Sequence, residues 1–300
     1  MTELHELKQE LIAEARRLGL YSLGFAPVER WAEAAPAILA GTPLPSEPRE
    51  AYYPQNIWPW SKTVIVGAVP LPLPMGQTTP ANFYTELYNT TNRVLDDAAY
   101  RLSAFLIGLG YRAHFFPRDG YGEIAALVEK PEAAFSQVVA AKCAGLGTIG
   151  RNHCLLTEGF GPRVRLVSII TDAEFPSDPL RADSLCTGCG ACEGACPIGA
   201  FTPPHPETGM YEMERYKCAK YHQFLREEMR YPCGACVMAC PVGEDKKLYG
   251  RAAVSTDGCR HLQNFGSKER NASEFYENKR RFIMSNRNYR FETKQIHAGQ

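Results

Sequence analysis

At 300 residues the chain can bury one large core or two modest ones, and its 45% apolar and 22% charged residues are those of an ordinary soluble globular protein. Lys plus Arg equals Asp plus Glu, so no net charge pulls the chain toward nucleic acid or an anionic membrane. No apolar stretch approaches the roughly 20 residues of a membrane span, so no membrane partner is expected.

Thr2 to Gly19 reads as a helix. Leu4, Leu7, Leu11, Ala15 and Leu18 form one apolar stripe, Thr2 can cap the start and Gly19 ends it. This stretch is charged and amphipathic and lacks the apolar run of a signal peptide, which points to the cytoplasm. Pro27 to Trp60 is rich in Pro, Ala and aromatics and shows no clean period. Thr63 to Val69 is a β-branched run expected as a core strand, ended by an extended loop with Pro70, Pro72, Pro74 and Gly76. Asn92 to Leu109 is the clearest helix, with Val94, Leu95, Ala98, Leu102, Phe105, Leu106 and Leu109 on one face and Gly110 as its stop. A strand over Tyr111–Phe116, a helix over Ala133–Cys143 and strands near Cys154–Thr157 and Val164–Thr171 follow. After His261 the tail is polar and basic, and such tails are more often solvated extensions than phosphate grips.

From about Leu185 the composition turns abruptly to Cys, Gly and Pro. Eight of the eleven cysteines form two runs: Cys186, Cys189, Cys192 and Cys196 before Pro197, then Cys218, Cys233, Cys236 and Cys240 before Pro241. The first run has the bacterial two-cluster ferredoxin spacing, in which the fourth cysteine serves the other cluster. The crossed assignment gives Cys186, Cys189, Cys192 and Cys240 to one [4Fe-4S] cluster and Cys218, Cys233, Cys236 and Cys196 to the other. Structural zinc rarely uses a third cysteine two residues on, and disulfides need an oxidising compartment. Cys143 and Cys154 read as small buried hydrophobes, and Cys259 lies outside the pattern. Two clusters move single electrons, so the rest of the chain should bind whatever uses them. The expected layout is an α+β cofactor and substrate domain over 1–180, a double-cluster module over 181–250 and a basic extension over 251–300.

Residues 140–157 hold Gly145, Gly147 and Gly150 in G-x-G-x-x-G spacing, but between a helix and a strand, the reverse of a dinucleotide-binding loop. The loop is either a tight helix-to-strand connection or a bare backbone that a flat cofactor can approach. The segments "AGLGTIGRNHCLLT" and "GFGPRVRLVSIITD", followed by C-x2-C-x2-C-x3-C-P, resemble the epoxyqueuosine reductase family, relatives of the corrinoid reductive dehalogenases. The resemblance covers about residues 60–245.

It implies a nitroreductase-like α+β domain that binds cobalamin with no histidine beneath cobalt, fed by the two clusters. A flavin is the alternative that this fold type allows. On the matching segments, Gly145, Gly147, Gly150, Arg151 and Asn152 would approach the corrin or its tail. Arg163 would either neutralise the tail phosphate or form a surface ion pair. The family's proton-donating Asp is absent: Thr85, Glu86 and Leu87 fill its segment, so Tyr84, Glu86 and Tyr88 become the proton-donor candidates, unless they only pack the helix start. With the helical repeats of the tRNA-acting enzymes also absent from the sequence, the expected substrate is a small organic molecule rather than tRNA. The expected electron donor is a flavodoxin or ferredoxin. A carrier or activase that only passes electrons to a partner's corrinoid is the competing class.

Overall fold

The computed structural model describes residues 2–31, 53–117, 124–129, 135–204, 206 and 211–249. Cys259, the extension over 251–300 and much of the aperiodic stretch between Pro27 and Trp60 lie outside these residues.

Helix α1 (Thr2–Arg17) forms as its stripe predicts, with Arg16 and Arg17 at the negative end of its dipole. Gly19 ends it at a φ of 90°, which a glycine adopts without strain. Strand β1 (Ser22–Pro27) comes next and has no signature in the sequence, because Gly24, Ala26 and Pro27 are poor strand formers. Its place beside β2 (Thr63–Pro70) makes it a strand, and burial of Phe25 and Ala26 holds it there. The proline-rich loop after β2 contains one helical turn, Leu73–Gly76, which tolerates Pro74 because no first-turn amide needs an intrahelical partner.

Helix α2 (Asn82–Gly108) starts ten residues before the expected Asn92. Asn89, Thr90 and Thr91 are weak helix formers and mask the period, but the buried face runs on through Tyr84, Leu87, Tyr88 and Thr91. The Thr91 hydroxyl donates to the Leu87 and Tyr88 carbonyls, so its polar group is satisfied within the helix. Strand β3 (Ala113–Phe116) follows, then helix α3 (Gln137–Cys143), whose N-cap Ser136 accepts from the Val139 amide at 3.3 Å. Strands β4 (Thr148–Ile149) and β5 (Leu155–Leu156) form a small hairpin, and β6 (Val164–Thr171) returns to the main sheet.

The main sheet is antiparallel with order β1-β2-β6-β3. Side chains alternate across it. Val64, Val66, Leu166 and Ile170 pack on α3, while Ile65, Val69, Val167 and Ile169 pack on Leu11 of α1 and Leu95 and Leu102 of α2. With helices on both faces, β2 is buried almost throughout and reads as a continuous apolar run. Each fully buried leucine in these cores contributes roughly 2 kcal/mol.

Beyond β6 the chain is strapped across the core before it enters the cysteine-rich part. Asp178 pairs with buried Lys8 at 2.7 Å and accepts from the Phe25 amide at 2.9 Å. A hairpin of β7 (Phe201–Pro204) and β8 (Tyr211–Met213) separates the two cysteine runs, and helix α4 (Arg215–Glu227) carries Cys218, the first member of the second. No described helix is long and apolar enough to cross a membrane.

Candidate functional site

The two cysteine runs fold so that their members interleave. Gly188 and Gly190, both in left-handed backbone, turn the first run tightly enough to aim three cysteines at one space. Cys186, Cys189 and Cys192 line a small cavity together with Cys240 from the second run. Cys218, Cys233 and Cys236 line a larger one together with Cys196 from the first. These are the two quartets of the crossed assignment. Among the described residues no three His, Cys, Asp or Glu side chains gather tightly enough to hold a single ion. Two all-sulfur quartets, each around its own space, have the donor chemistry that four-iron clusters require.

Burial raises the thiol pKa of Cys192, Cys236 and Cys240, and pushes that of Cys218 up to about 12, with neighbouring thiolates adding to the effect at each. These four thiols therefore stay protonated at neutral pH, and their taking up iron must release protons.

The larger cavity, about 450 Å³, lies where the sheet meets the cysteine segments. Leu71, Val164 and Leu166 supply its sheet-side wall, α2 supplies Tyr84 and Tyr88, and α4 supplies Tyr221 and His222. Tyr84 and Tyr88 stand one helical turn apart and share a face. The Tyr84 ring covers Gly234, where any side chain would collide with it. Burial first, then nearby Tyr88, raises the Tyr84 hydroxyl far above its ordinary pKa, so it stays protonated. The Arg165 guanidinium sits 4.3 Å from the centre of the Tyr88 ring, and its Nε donates to Asn92 Oδ1 at 3.1 Å. Tyr231 meets Tyr88 edge-on at 5.7 Å and His222 at 5.4 Å. Burial pulls His222 down to about 4, so its imidazole is neutral at pH 7.

Several expectations change here. Glu86 is exposed and is not among the cavity residues. Because α2 already includes this segment, two residues turn a side chain by about 200°, so Glu86 faces away from Tyr84 and Tyr88. No Asp or Glu lines the described cavity.

The glycine loop is a tight connection rather than a cradle. Gly145 has a φ of 74° and packs against the Pro179 carbonyl, and a Cβ on Gly147 would strike the Leu156 carbonyl across the β4–β5 hairpin. Neither lines the large cavity. Gly150 and Arg151 line the small one, where Arg151 Nη1 donates to the Gly188 carbonyl at 2.9 Å. Of the six residues expected at a corrin, only Asn152 borders the large cavity; it also borders the small one and donates to the Cys236 carbonyl at 3.4 Å. Arg163 is neither a phosphate ligand nor half of a surface pair. It is fully buried and bidentate to Asp245, with both contacts at 2.6 Å. The six residues therefore give a corrin no cradle, whereas the cysteines fit their clusters.

Sequence reasoning missed Arg165, His222 and Tyr231. Arg165 stood in the quoted "GPRVR" two residues from Arg163, and the two differ in their distant partners: Arg163 meets Asp245, while Arg165 meets Tyr88 and Asn92. Cys154, expected as a small buried hydrophobe, borders the large cavity, and burial pushes its thiol up to about 12. The next contributions to that shift come from Cys240 and Cys192, and the thiols of Cys218 and Cys236 feel Cys154 in turn, so its sulfur stands near both quartets.

The fold and the paired quartets define a class: an α+β redox protein with a two-cluster module packed on its core. Residues 185–244 match the 4Fe-4S dicluster domain family. The epoxyqueuosine reductase of Bacillus cereus is 27% identical over 215 residues, 66% of this chain and 53% of that protein. The tetrachloroethene reductive dehalogenase of Desulfitobacterium hafniense is 29% identical over 144 residues, 47% of this chain and 24% of that one. The chain thus spans about half the length of the first relative and a quarter of the second. A solved epoxyqueuosine reductase with an epoxyqueuosine-modified tRNA-Tyr stem loop shares the fold at a TM-score of 0.54 and 20% identity, over 79% of this chain and 65% of that one. A reductive dehalogenase described as B12-dependent does so at 0.56 and 18%, over 91% and 37%. The chain is thus similar in sequence and fold to the epoxyqueuosine reductases and to the reductive dehalogenases.

Proposed function

We propose that this chain is a two-cluster iron–sulfur reductase that reduces a small organic substrate in the cavity beside Tyr88. The observation that carries the reading is that one thiol quartet, Cys196, Cys218, Cys233 and Cys236, forms part of the same cavity wall as Tyr84, Tyr88 and Arg165. When bound, the clusters supply single low-potential electrons. The other quartet includes Cys189, which is exposed, and is the side at which a flavodoxin or ferredoxin would deliver electrons.

The chain's own residues do the rest. Tyr88 holds a transferable proton at its hydroxyl, in a ring kept in place by Arg165 and Tyr231. Tyr84, more deeply buried, closes the cavity against Gly234. The division near residue 180, a nitroreductase-like character for the core and a cytoplasmic setting belong to the same reading. Support for cobalamin comes from the B12-dependent relative rather than from the glycine loop.

A second reading, reduction of epoxyqueuosine in tRNA, is favoured by the name of the Bacillus cereus relative and by the tRNA-bound structure. One experiment separates them. Protein purified without oxygen is analysed for iron, cobalt and flavin, then reduced and offered tRNA carrying epoxyqueuosine alongside a panel of small epoxides and organohalides. About eight irons with turnover of a small substrate supports the proposal. Efficient formation of queuosine at low salt overturns it in favour of tRNA, and two clusters with no turnover of either favours an electron carrier.

A further inference from the structure

We infer that Arg163 is a positioning residue for the solvent-side cluster: it holds Cys240, the fourth thiolate of that quartet, and sets the cluster's potential. The inference rests on the two-cluster reading above. Arg163 belongs to the core, immediately before β6, yet its side chain reaches the segment that follows the second cysteine run. Nη1 donates to the Cys240 carbonyl at 3.0 Å and Nη2 to the Val242 carbonyl at 2.6 Å. The fork closes on Asp245, which is 3% exposed. Backbone bonds complete the join: the Glu244 amide donates to the Glu158 carbonyl at 3.0 Å and the Asp245 amide to the Gly159 carbonyl at 2.8 Å. The fit leaves no slack, because a Cβ on Gly243 would collide with the guanidinium and one on Gly161 with the Val242 carbonyl.

A staple alone would not need charge. Taking an ion pair out of water costs several kcal/mol per ion, and well-packed apolar residues often hold two segments together as well or better. A guanidinium offers what an apolar pair does not. It fixes the Cys240 and Val242 carbonyls by directional bonds and places positive charge beside a thiolate ligand, and hydrogen bonding and local charge are levers on cluster potential. The other quartet has a different neighbour: the Cys236 carbonyl meets the neutral amide of Asn152 at 3.4 Å. The Arg163 device therefore acts on one cluster and not on the other.

Three variants of the full chain test this, purified without oxygen and studied by iron counting and EPR-monitored redox titration. R163K keeps the charge and loses the fork. D245N keeps the fork and loses the counter-charge. R163M/D245L removes both charges and leaves none uncompensated. C189A, which removes a ligand of the solvent-side cluster, identifies that cluster's signal.

The expected result is that R163K and D245N retain about eight irons while only the solvent-side midpoint moves, and that R163M/D245L loses about half its iron and keeps the cavity-side signal. Unchanged potentials and iron in all three variants overturn the inference. So does a loss or shift of both signals together, or a failure of all three to fold, because Arg163 would then be a general strut. Wild-type protein without two cluster signals overturns the two-cluster reading itself, which is a separate outcome read before any variant.

Discussion

Cys196, Cys218, Cys233 and Cys236 wall the large cavity, whereas Cys186, Cys189, Cys192 and Cys240 face the glycine loop and, at Cys189, solvent. Ligand chemistry and count are the same in both quartets. What differs is the partner each one meets: tyrosines and Arg165 at the first, Arg151 and the Arg163–Asp245 pair at the second. Spacing in a sequence therefore specifies what a cluster is, while the surrounding fold decides what it can serve. In the proposed reading, the quartet beside the cavity spends electrons and the one with exposed Cys189 receives them.

The largest effect that would sharpen this contrast comes from breaking each quartet separately. Cys196→Ala should remove about half the iron, and the surviving EPR signal should be that of the Cys186 quartet. Cys189→Ala should also halve the iron, but the remaining cluster should be reduced at least tenfold more slowly by reduced flavodoxin while a small chemical reductant still works. Stopped-flow reduction measures this, and equal rates with flavodoxin in wild type and variant would break the assigned order.

Tyr88→Phe comes next. It should lower turnover of an accepted small substrate by about 100-fold with iron content unchanged, since a positioned proton donor is worth at least that much. Glu86→Gln, on the exposed side of α2, should change turnover less than twofold, and a larger loss would return Glu86 to the reaction. Gly147→Val should act on the fold rather than the cavity. The clash with the Leu156 carbonyl should cost about 3 kcal/mol, seen as a fall in Tm of roughly 8 °C, and an unchanged Tm would show that the hairpin yields.

The smallest effect concerns acid. His222 is neutral when folded, with its pKa lowered to about 4 by burial. Between pH 6.5 and about 4 the unfolded chain binds a proton there that the folded chain does not, so stability falls as pH falls through that window. His222→Gln should flatten that part of the acid-stability curve, a change of roughly 2 kcal/mol followed by urea denaturation across the window.

Much of the frame was legible because it rests on local rules. The stripe from Leu4 to Leu18, the β-branched run at Thr63 and the strand at Val164 all form where their periods place them. Residues that need a distant partner were not legible. β1 is a strand only because β2 lies beside it, and the first ten residues of α2 are helical although Asn and Thr dilute their pattern. At the site, cysteine spacing grouped the residues that border the two cavities. The glycine spacing misled, because a glycine required for contact with a ligand and one required for contact with the Leu156 carbonyl look the same in sequence. Arg163 and Arg165 illustrate the same limit, since only the positions of distant Asp245, Tyr88 and Asn92 separate a buried strut from a cavity cation.

Three consecutive residues before and within β6 have three separate duties: Arg163 grips the cysteine segment, Val164 borders the cavity and Arg165 covers Tyr88. A mutagenesis library aimed at new substrates should therefore spread its diversity over Val164 and Leu166, keep Arg165 as a switch to be toggled alone, and leave position 163 constant. Randomising the whole tripeptide would discard most clones at cluster assembly, before the screen could register any change in substrate preference.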